Sequence, residues 1–115
     1  MARFVIEGGR HLSGELTPQG AKNEALQIIC ATLLTDEKIT VHNIPEIQDV
    51  FKLIEILKGL GTQVEHPEHG TYTFQSDQID LGYLTTPKFY SQAASLRGSI
   101  MILGPLLARF GIGYI

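Results

Sequence analysis

The spacing of apolar residues changes several times along the chain, and each change predicts a different element. From residue 21 to residue 34 apolar side chains recur every three or four positions, which predicts a helix buried on most of its sides. Its stripe consists of Ala25, Ile28, Ile29, Thr32 and Leu33, widened by Leu26, Cys30 and Leu34. A second helical pattern opens at Pro45 and Glu46 and stops at Gly59 and Gly61. Its predicted apolar face consists of Ile47, Val50, Phe51, Ile54 and Leu57.

Strands are predicted where apolar and polar residues alternate. Two short strands are expected over residues 4–6 and 11–16, and a β-branched strand over residues 39–41. The clearest hairpin pairs residues 62–65 with residues 71–74 around a turn that contains proline and glycine. These segments predict a small sheet with antiparallel neighbours.

A third helix is expected from residue 86 to residue 108, kinked or restarted at Pro105, with a further strand beginning at Tyr114. Strands and helices alternate, which predicts an α/β (α+β) fold with some antiparallel pairing. Leu33-Leu34 before one strand resembles Leu106-Leu107 before the next, at an offset of 73 positions (106 minus 33). A repeated βαβαββ unit would produce this echo.

Composition narrows the class of protein. The chain has 115 residues, 43% hydrophobic and 18% charged, with a net charge of -3 and no basic stripe, so a nucleic-acid partner is not expected. The single cysteine, Cys30, lies in an apolar run and is expected to be a buried, inert thiol in a reducing compartment. The N-terminal residues do not form a signal peptide, and the longest apolar run, residues 100–107, is too short to span a bilayer. We therefore expect a cytoplasmic protein without membrane insertion.

The most informative candidate for chemistry is the start of the first helix, where Lys22 and Asn23 follow Gly20. Free backbone N–H groups and the positive end of the helix dipole favour an anionic ligand at this position. A lysine is unfavourable there unless an anion lies beside it, although a solvated lysine at a loop–helix junction explains the same residues. The four histidines lack ligand spacing, and no metal site is expected.

Two arginines lie in the third helical segment. Arg97 interrupts small and apolar neighbours, so it must extend to solvent, pair with an acid, or face a ligand. Arg109 ends the segment, where the negative end of the helix dipole accounts for a cation without any ligand.

Five segments, in order and with compatible spacing, resemble one family. The resemblance rests on residues 13–16 (SGEL), 20–26 (GAKNEAL), 43–50 (NIPEIQDV), 60–65 (LGTQVE) and 96–111 (LRGSIMILGPLLARFG). Together they are similar to the UDP-N-acetylglucosamine 1-carboxyvinyltransferases, which are enolpyruvyl transferases. The sequence departs from the common pattern at Gly98, where the family usually has alanine, and over residues 75–90.

The resemblance implies a fold of two domains built from βαβαββ units, an inside-out α/β barrel with the active site in the cleft between the domains. Residues 1–20 are then expected to form strands that belong with the second domain. Residues 21–115 would be the first part of the substrate-binding domain, ending before the catalytic loop.

The resemblance also implies roles for individual residues. Lys22 and Asn23 match residues that bind phosphoenolpyruvate, Arg97 matches one that contacts the UDP-sugar, and Asp49 matches a cleft residue without an assigned role. The general acid, a cysteine or an aspartate, is expected beyond Ile115, and no cofactor is expected. The implied reaction transfers enolpyruvate from phosphoenolpyruvate to the 3-hydroxyl of UDP-N-acetylglucosamine. This is the first committed step of peptidoglycan synthesis. The expected partners are these two substrates and the remainder of the protein's own chain.

Two other functions remain open from the sequence. One is a 5-enolpyruvylshikimate-3-phosphate synthase-like transferase, in which a lysine–serine pair usually replaces Lys22-Asn23. The other is a non-catalytic binding domain with the same fold. The 115 residues alone are expected to be inactive.

Overall fold

A computed structural model describes residues 2–113. These residues contain four α-helices and three strands: α1 (Lys22–Ala31), β1 (Lys38–Val41), α2 (Gln48–Leu60), β2 (Gln63–Glu68), β3 (Thr71–Gln75), α3 (Pro87–Ala94) and α4 (Leu103–Phe110). Three 3₁₀ segments connect them, at Thr32–Leu34, Leu81–Thr85 and Arg97–Ile102. The mixed helix and sheet composition confirms the predicted α/β class.

The three strands form one antiparallel sheet in the order β1-β3-β2. β3 is the central strand: Phe74 faces Ile39 on one side and Val64 on the other. The register shifts between Glu65 and Glu68, where β2 approaches the hairpin turn. The predicted hairpin and the predicted strand over residues 39–41 are therefore confirmed. The expected turn over residues 67–70 was too long, because β2 continues through Pro67 to Glu68.

α2 forms the centre of the hydrophobic core. Its buried residues are Val50, Leu53, Ile54, Ile56, Leu57 and Leu60. They pack with Phe74 of the central strand and with Ile29 of α1 in a single cluster. The helix ends at Gly61, whose φ of 112° is in the left-handed region that glycine favours, and Thr62 N–H donates to the Leu57 carbonyl at 3.0 Å.

The predicted buried faces of both helices were partly wrong. Ile28 and Leu34 are exposed, so α1 is buried on one side rather than most sides. Phe51 of α2 is 45% exposed, and the face that packs inward is completed by Leu53 and Ile56 instead. Apolar periodicity identified each helix, but the packing partners selected which side became the core.

The predicted boundaries of the second and third helices were also wrong. α2 begins at Gln48 rather than at Pro45, because Ile47 N–H donates to the Pro45 carbonyl and keeps these residues in a turn. The segment expected to be one helix from residue 86 to residue 108 contains α3, a 3₁₀ segment and α4. The break falls at Ser95 and Leu96, well before Pro105, which lies inside α4.

The strands expected over residues 4–6 and 11–16 are absent from the described residues. The chain from residue 2 to residue 21 has no helix or strand, and Phe4, Ile6 and Leu12 are each at least 88% exposed. A strand requires a hydrogen-bonded neighbour, and none pairs with these residues within residues 2–113. The strand expected at Tyr114 lies outside the described residues. No helix within residues 2–113 has the length and apolar character needed to cross a membrane.

Candidate functional site

The candidate anion site lies at the N-terminus of α1. Ala21 is the N-cap residue, in an extended conformation, and no side chain accepts a hydrogen bond from the first turn. Lys22 is the first helical residue, and its side chain is half-exposed. The backbone N–H groups of this turn therefore remain available for an anion, beside an ammonium group.

The structure brings Lys22 and Asp49 together. Lys22 Nζ lies 2.5 Å from Asp49 Oδ2, in the first turn of α2. A hydrogen bond from Lys22, with the charges of Lys22 and Lys52, holds the pKa of Asp49 below its ordinary value, although desolvation opposes this shift. Asp49 is therefore an ionised partner for the lysine that the helix dipole would otherwise repel.

Asn23 and Arg97 are both exposed, and the two residues lie on segments that contact each other. Arg97 opens the 3₁₀ segment Arg97–Ile102, which packs against α1. A Cβ atom at Gly98 would lie 3.1 Å from Leu26 Cδ1, so this segment packs closely against α1. Within residues 2–113 the Arg97 side chain has no hydrogen bond or ion pair, so it does not pair with an acid there.

Lys52 connects α2 to the segment that carries Arg97. Its Nζ donates to the Ser95 carbonyl at 3.3 Å, and Ser95 is the C-cap of α3. Lys52 lies one turn after Asp49 on the same helix. The N-termini of α1 and α2 and the C-terminus of α3 therefore lie next to one another.

A second polar cluster, centred on Glu46, was missed by the sequence analysis. The carboxylate of Glu46 contacts His66 at 2.6 Å and also His69, and it accepts a hydrogen bond from the Tyr72 hydroxyl at 2.9 Å. The Tyr72 hydrogen bond is the largest influence that lowers the pKa of Glu46. His66 stacks on Tyr72 with ring centroids 4.1 Å apart. The paired histidines of the hairpin were visible in the sequence, but the distant Glu46 was not.

This cluster joins the hairpin turn to the segment that leads into α2. None of the His, Cys, Asp and Glu residues of the described part of the chain forms a group of three or more that could hold a metal ion. Each oxygen of Glu46 instead faces a different histidine. The arrangement fixes the approach to Asp49, three residues further along the chain.

Arg109 connects separate segments of the chain, which the favourable position at the end of a helix dipole does not by itself explain. Its Nη1 donates to the carbonyls of Leu33, Thr35 and Ser76, at 3.0, 3.1 and 2.7 Å. The guanidinium also lies 4.7 Å from the centroid of the Phe110 ring. Arg109 therefore joins α4 to the end of the first helical segment and to the residue after β3. Cys30 is a buried free cysteine, and burial raises its pKa to about 12, which agrees with the expected inert thiol.

Comparison with known proteins identifies the family to which this fold and site belong. Residues 6–115 match the family described as EPSP synthase (3-phosphoshikimate 1-carboxyvinyltransferase), and the chain belongs to this family.

The names of similar proteins are more specific than the description of the family. The chain is 57% identical over 111 residues to a UDP-N-acetylglucosamine 1-carboxyvinyltransferase of Bacteroides thetaiotaomicron, a match that covers 96% of the chain and 26% of the relative. Proteins of the same name from Porphyromonas gingivalis and Methylacidiphilum infernorum are 51% and 45% identical over 111 residues, with 96% of the chain and 26% and 25% of the relatives covered. The chain thus spans about a quarter of the length of the curated relatives it matches.

Proposed function

We propose that the full-length protein transfers enolpyruvate from phosphoenolpyruvate to the 3-hydroxyl of UDP-N-acetylglucosamine, as the names of its relatives suggest. The observation that supports this most directly is the half-exposed ammonium of Lys22 at an N-terminus that no side chain caps, held by Asp49 at 2.5 Å. Phosphoenolpyruvate carries a carboxylate and a phosphate, and such an anion suits a helix N-terminus with an adjacent lysine.

In this proposal the residues of the chain bind and orient the substrates. Lys22 and Asn23 hold phosphoenolpyruvate, and Arg97, which is exposed on a segment that packs against α1, contacts the UDP-sugar. The sugar hydroxyl gives up its proton and adds to C2 of phosphoenolpyruvate while C3 is protonated. Loss of phosphate from C2, together with a proton from C3, then leaves the enol ether. Lys22 stabilises the charge that develops on the phosphate as it leaves. The general acid is assigned to the chain beyond Ile115.

The proposed domain organisation follows the same reasoning. Residues 1–20 would pair with a second domain, and residues 21–115 would begin the domain that binds substrate. The exposure of Phe4, Ile6 and Leu12 supports this, because apolar side chains in an extended segment are stabilised when they become strands of a covered sheet. We further propose a cytoplasmic role in peptidoglycan synthesis, and therefore in cell wall formation, cell shape and cell division.

A second candidate is the activity after which the family is described, transfer of enolpyruvate to shikimate 3-phosphate. Both reactions use the same donor, and Lys22 would serve both in the same way. The acceptor therefore distinguishes them.

The test is phosphate release by the full-length protein from phosphoenolpyruvate, with each acceptor in turn. Release with UDP-N-acetylglucosamine and none with shikimate 3-phosphate is expected. Lys22→Ala should lower turnover by about 30–1,000-fold, because one charged contact at a transition state contributes roughly 2–4 kcal/mol. Lys58→Ala, which removes an exposed lysine paired with Glu55, is the matched control and should have near-normal turnover. Normal turnover by Lys22→Ala would exclude the proposed site.

A further inference from the structure

Asp49 makes the shortest contact between a lysine and a carboxylate in the described part of the chain. The Lys22–Asp49 distance is 2.5 Å, whereas the Lys38–Glu65 and Lys58–Glu55 pairs are separated by 3.4 and 3.3 Å. The Asp49 side chain is 34% exposed, about half as exposed as the acids of the other two pairs, at 67% and 61%. Asp49 is therefore more sheltered than the acids of the other two pairs, and its contact with lysine is closer, although the three lysines are about equally exposed.

The helix dipole accounts for the position of Asp49 but not for that of Lys22. Asp49 lies in the first turn of α2, where the helix dipole already stabilises a carboxylate without help from a lysine. Lys22 lies in the first turn of α1, where the dipole is unfavourable for a cation. An anion fixed beside Lys22 offsets that repulsion and limits the rotamers of a long side chain.

The ammonium keeps capacity for a second anion. It has three N–H donors, and no contact besides Asp49 engages it within residues 2–113. The other nearby charges are engaged elsewhere: Lys52 donates to the Ser95 carbonyl, and Glu46 is occupied by Tyr72, His66 and His69. Asp49 is thus the carboxylate that orients Lys22 while the exposed side of the ammonium remains open.

We propose that Asp49 is a positioning residue that directs the Lys22 ammonium toward the phosphate of phosphoenolpyruvate. This inference rests on the proposed function, and it assigns a role to a residue that the family resemblance left without one. Asp49 acts through Lys22 and does not itself contact the reacting atoms.

Positioning and simple electrostatics predict opposite effects for Asp49→Asn. Removal of a negative charge beside an anion site would strengthen phosphoenolpyruvate binding and favour catalysis if electrostatics alone mattered. Loss of positioning instead lowers turnover, because a misplaced catalytic contact can reduce the rate by about 100-fold. We expect Asp49→Asn to lower kcat by about 10–100-fold while the KM for phosphoenolpyruvate changes by less than about 3-fold.

The experiment is a double-mutant cycle in the full-length protein, with kcat and both KM values measured for wild type, Asp49→Asn, Lys22→Ala and the double variant. If Asp49 acts through Lys22, adding Asp49→Asn to Lys22→Ala should change kcat by less than about 2-fold. Asp49→Glu, which keeps the carboxylate, should recover part of the turnover. Glu55→Gln, which breaks the Lys58 pair, is the matched control and should leave both parameters unchanged.

The outcomes separate this inference from the proposed function. Wild-type protein that releases no phosphate with UDP-N-acetylglucosamine would overturn both. The role of Asp49 alone would be overturned if the wild-type protein is active and Asp49→Asn has a normal kcat. It would also be overturned if the fold-loss of kcat in the double variant equals the product of the two single losses. The inference is supported if Asp49→Asn lowers kcat in the wild-type background but not in the Lys22→Ala background. The melting temperature of Asp49→Asn should also be close to that of wild type.

Discussion

Replacement of Arg109 tests whether this residue acts as a cation at a helix end or as a connection between elements. One nitrogen, Nη1, approaches three carbonyls on two other segments of the chain. It carries two hydrogens, so two of these contacts can be well formed at one time and the third is shared. Hydrogen bonds to a charged group contribute about 1.5–3 kcal/mol each, and partial access of water to the carbonyls reduces the total. We expect Arg109→Ala to lower the free energy of unfolding by about 2–4 kcal/mol.

Arg109→Lys separates the two explanations. Lysine keeps the positive charge near the C-terminus of α4, a contribution of about 0.3–1 kcal/mol, but it lacks the planar fork that reaches both segments. We therefore expect Arg109→Lys to recover less than half of the stability that Arg109→Ala loses. Arg97→Ala provides the matched control, since Arg97 is exposed and has no protein partner within residues 2–113, and its effect should stay within about 0.5 kcal/mol.

Urea denaturation of the 115-residue chain, followed by far-UV circular dichroism, measures these differences. A destabilisation of 2–4 kcal/mol would lower the denaturation midpoint by about 1–2 M for a protein of this size. Equal midpoints for wild type and Arg109→Lys would refute the connecting role and leave the helix dipole as the sufficient explanation.

Three further predictions concern the site and its surroundings. In the full-length protein Arg97→Ala should raise the KM for the UDP-sugar more than it lowers kcat, and a fall in melting temperature at constant KM would contradict the proposed contact. The lowered pKa of Glu46 means that its stabilising effect is present above the pKa of an unfolded glutamate and is lost as the pH falls through the lower, folded value. Urea midpoints of wild type and Glu46→Gln should therefore differ at pH 7 and converge in acid, and equal midpoints at pH 7 would refute this. The 115-residue chain alone should release no phosphate from phosphoenolpyruvate, because it spans only about a quarter of the length of its relatives, and release above background would contradict the expectation.

The sequence predicted those elements whose determinants are local. The hairpin follows from alternating residues on both sides of a turn, and α2 ends at Gly61 because glycine adopts a left-handed φ there. α3 begins at Thr86-Pro87, as expected, because the Thr86 hydroxyl accepts a hydrogen bond from Phe89 N–H and proline fits the first helical position. Each of these signals lies within a few residues of the feature it specifies.

Predictions that depended on distant partners were less successful. The side of α2 that faces the core is decided by α1 and the sheet, so Phe51 was assigned to the core although it is exposed. Lys22 could be chosen as a candidate because a lysine against a helix dipole is a local anomaly. Its pairing with Asp49 was not predicted, since 27 residues separate the two (49 minus 22).

The geometry of the Lys22–Asp49 pair depends on a backbone contact that the pattern of apolar and polar residues does not predict. A Cβ atom at Gly20 would overlap the Asn43 carbonyl oxygen, so glycine allows the segment before α2 to pass directly beside the entry to α1. Asn43 adopts a φ of 58°, a conformation that asparagine tolerates better than most residues, and Ile44 N–H then donates to the Gly70 carbonyl at 2.8 Å. The start of α1, the approach to α2 and the hairpin turn are thereby fixed together. Lys22 and Asp49 follow within two and six residues of this contact, so the backbone brings the two side chains within reach of each other.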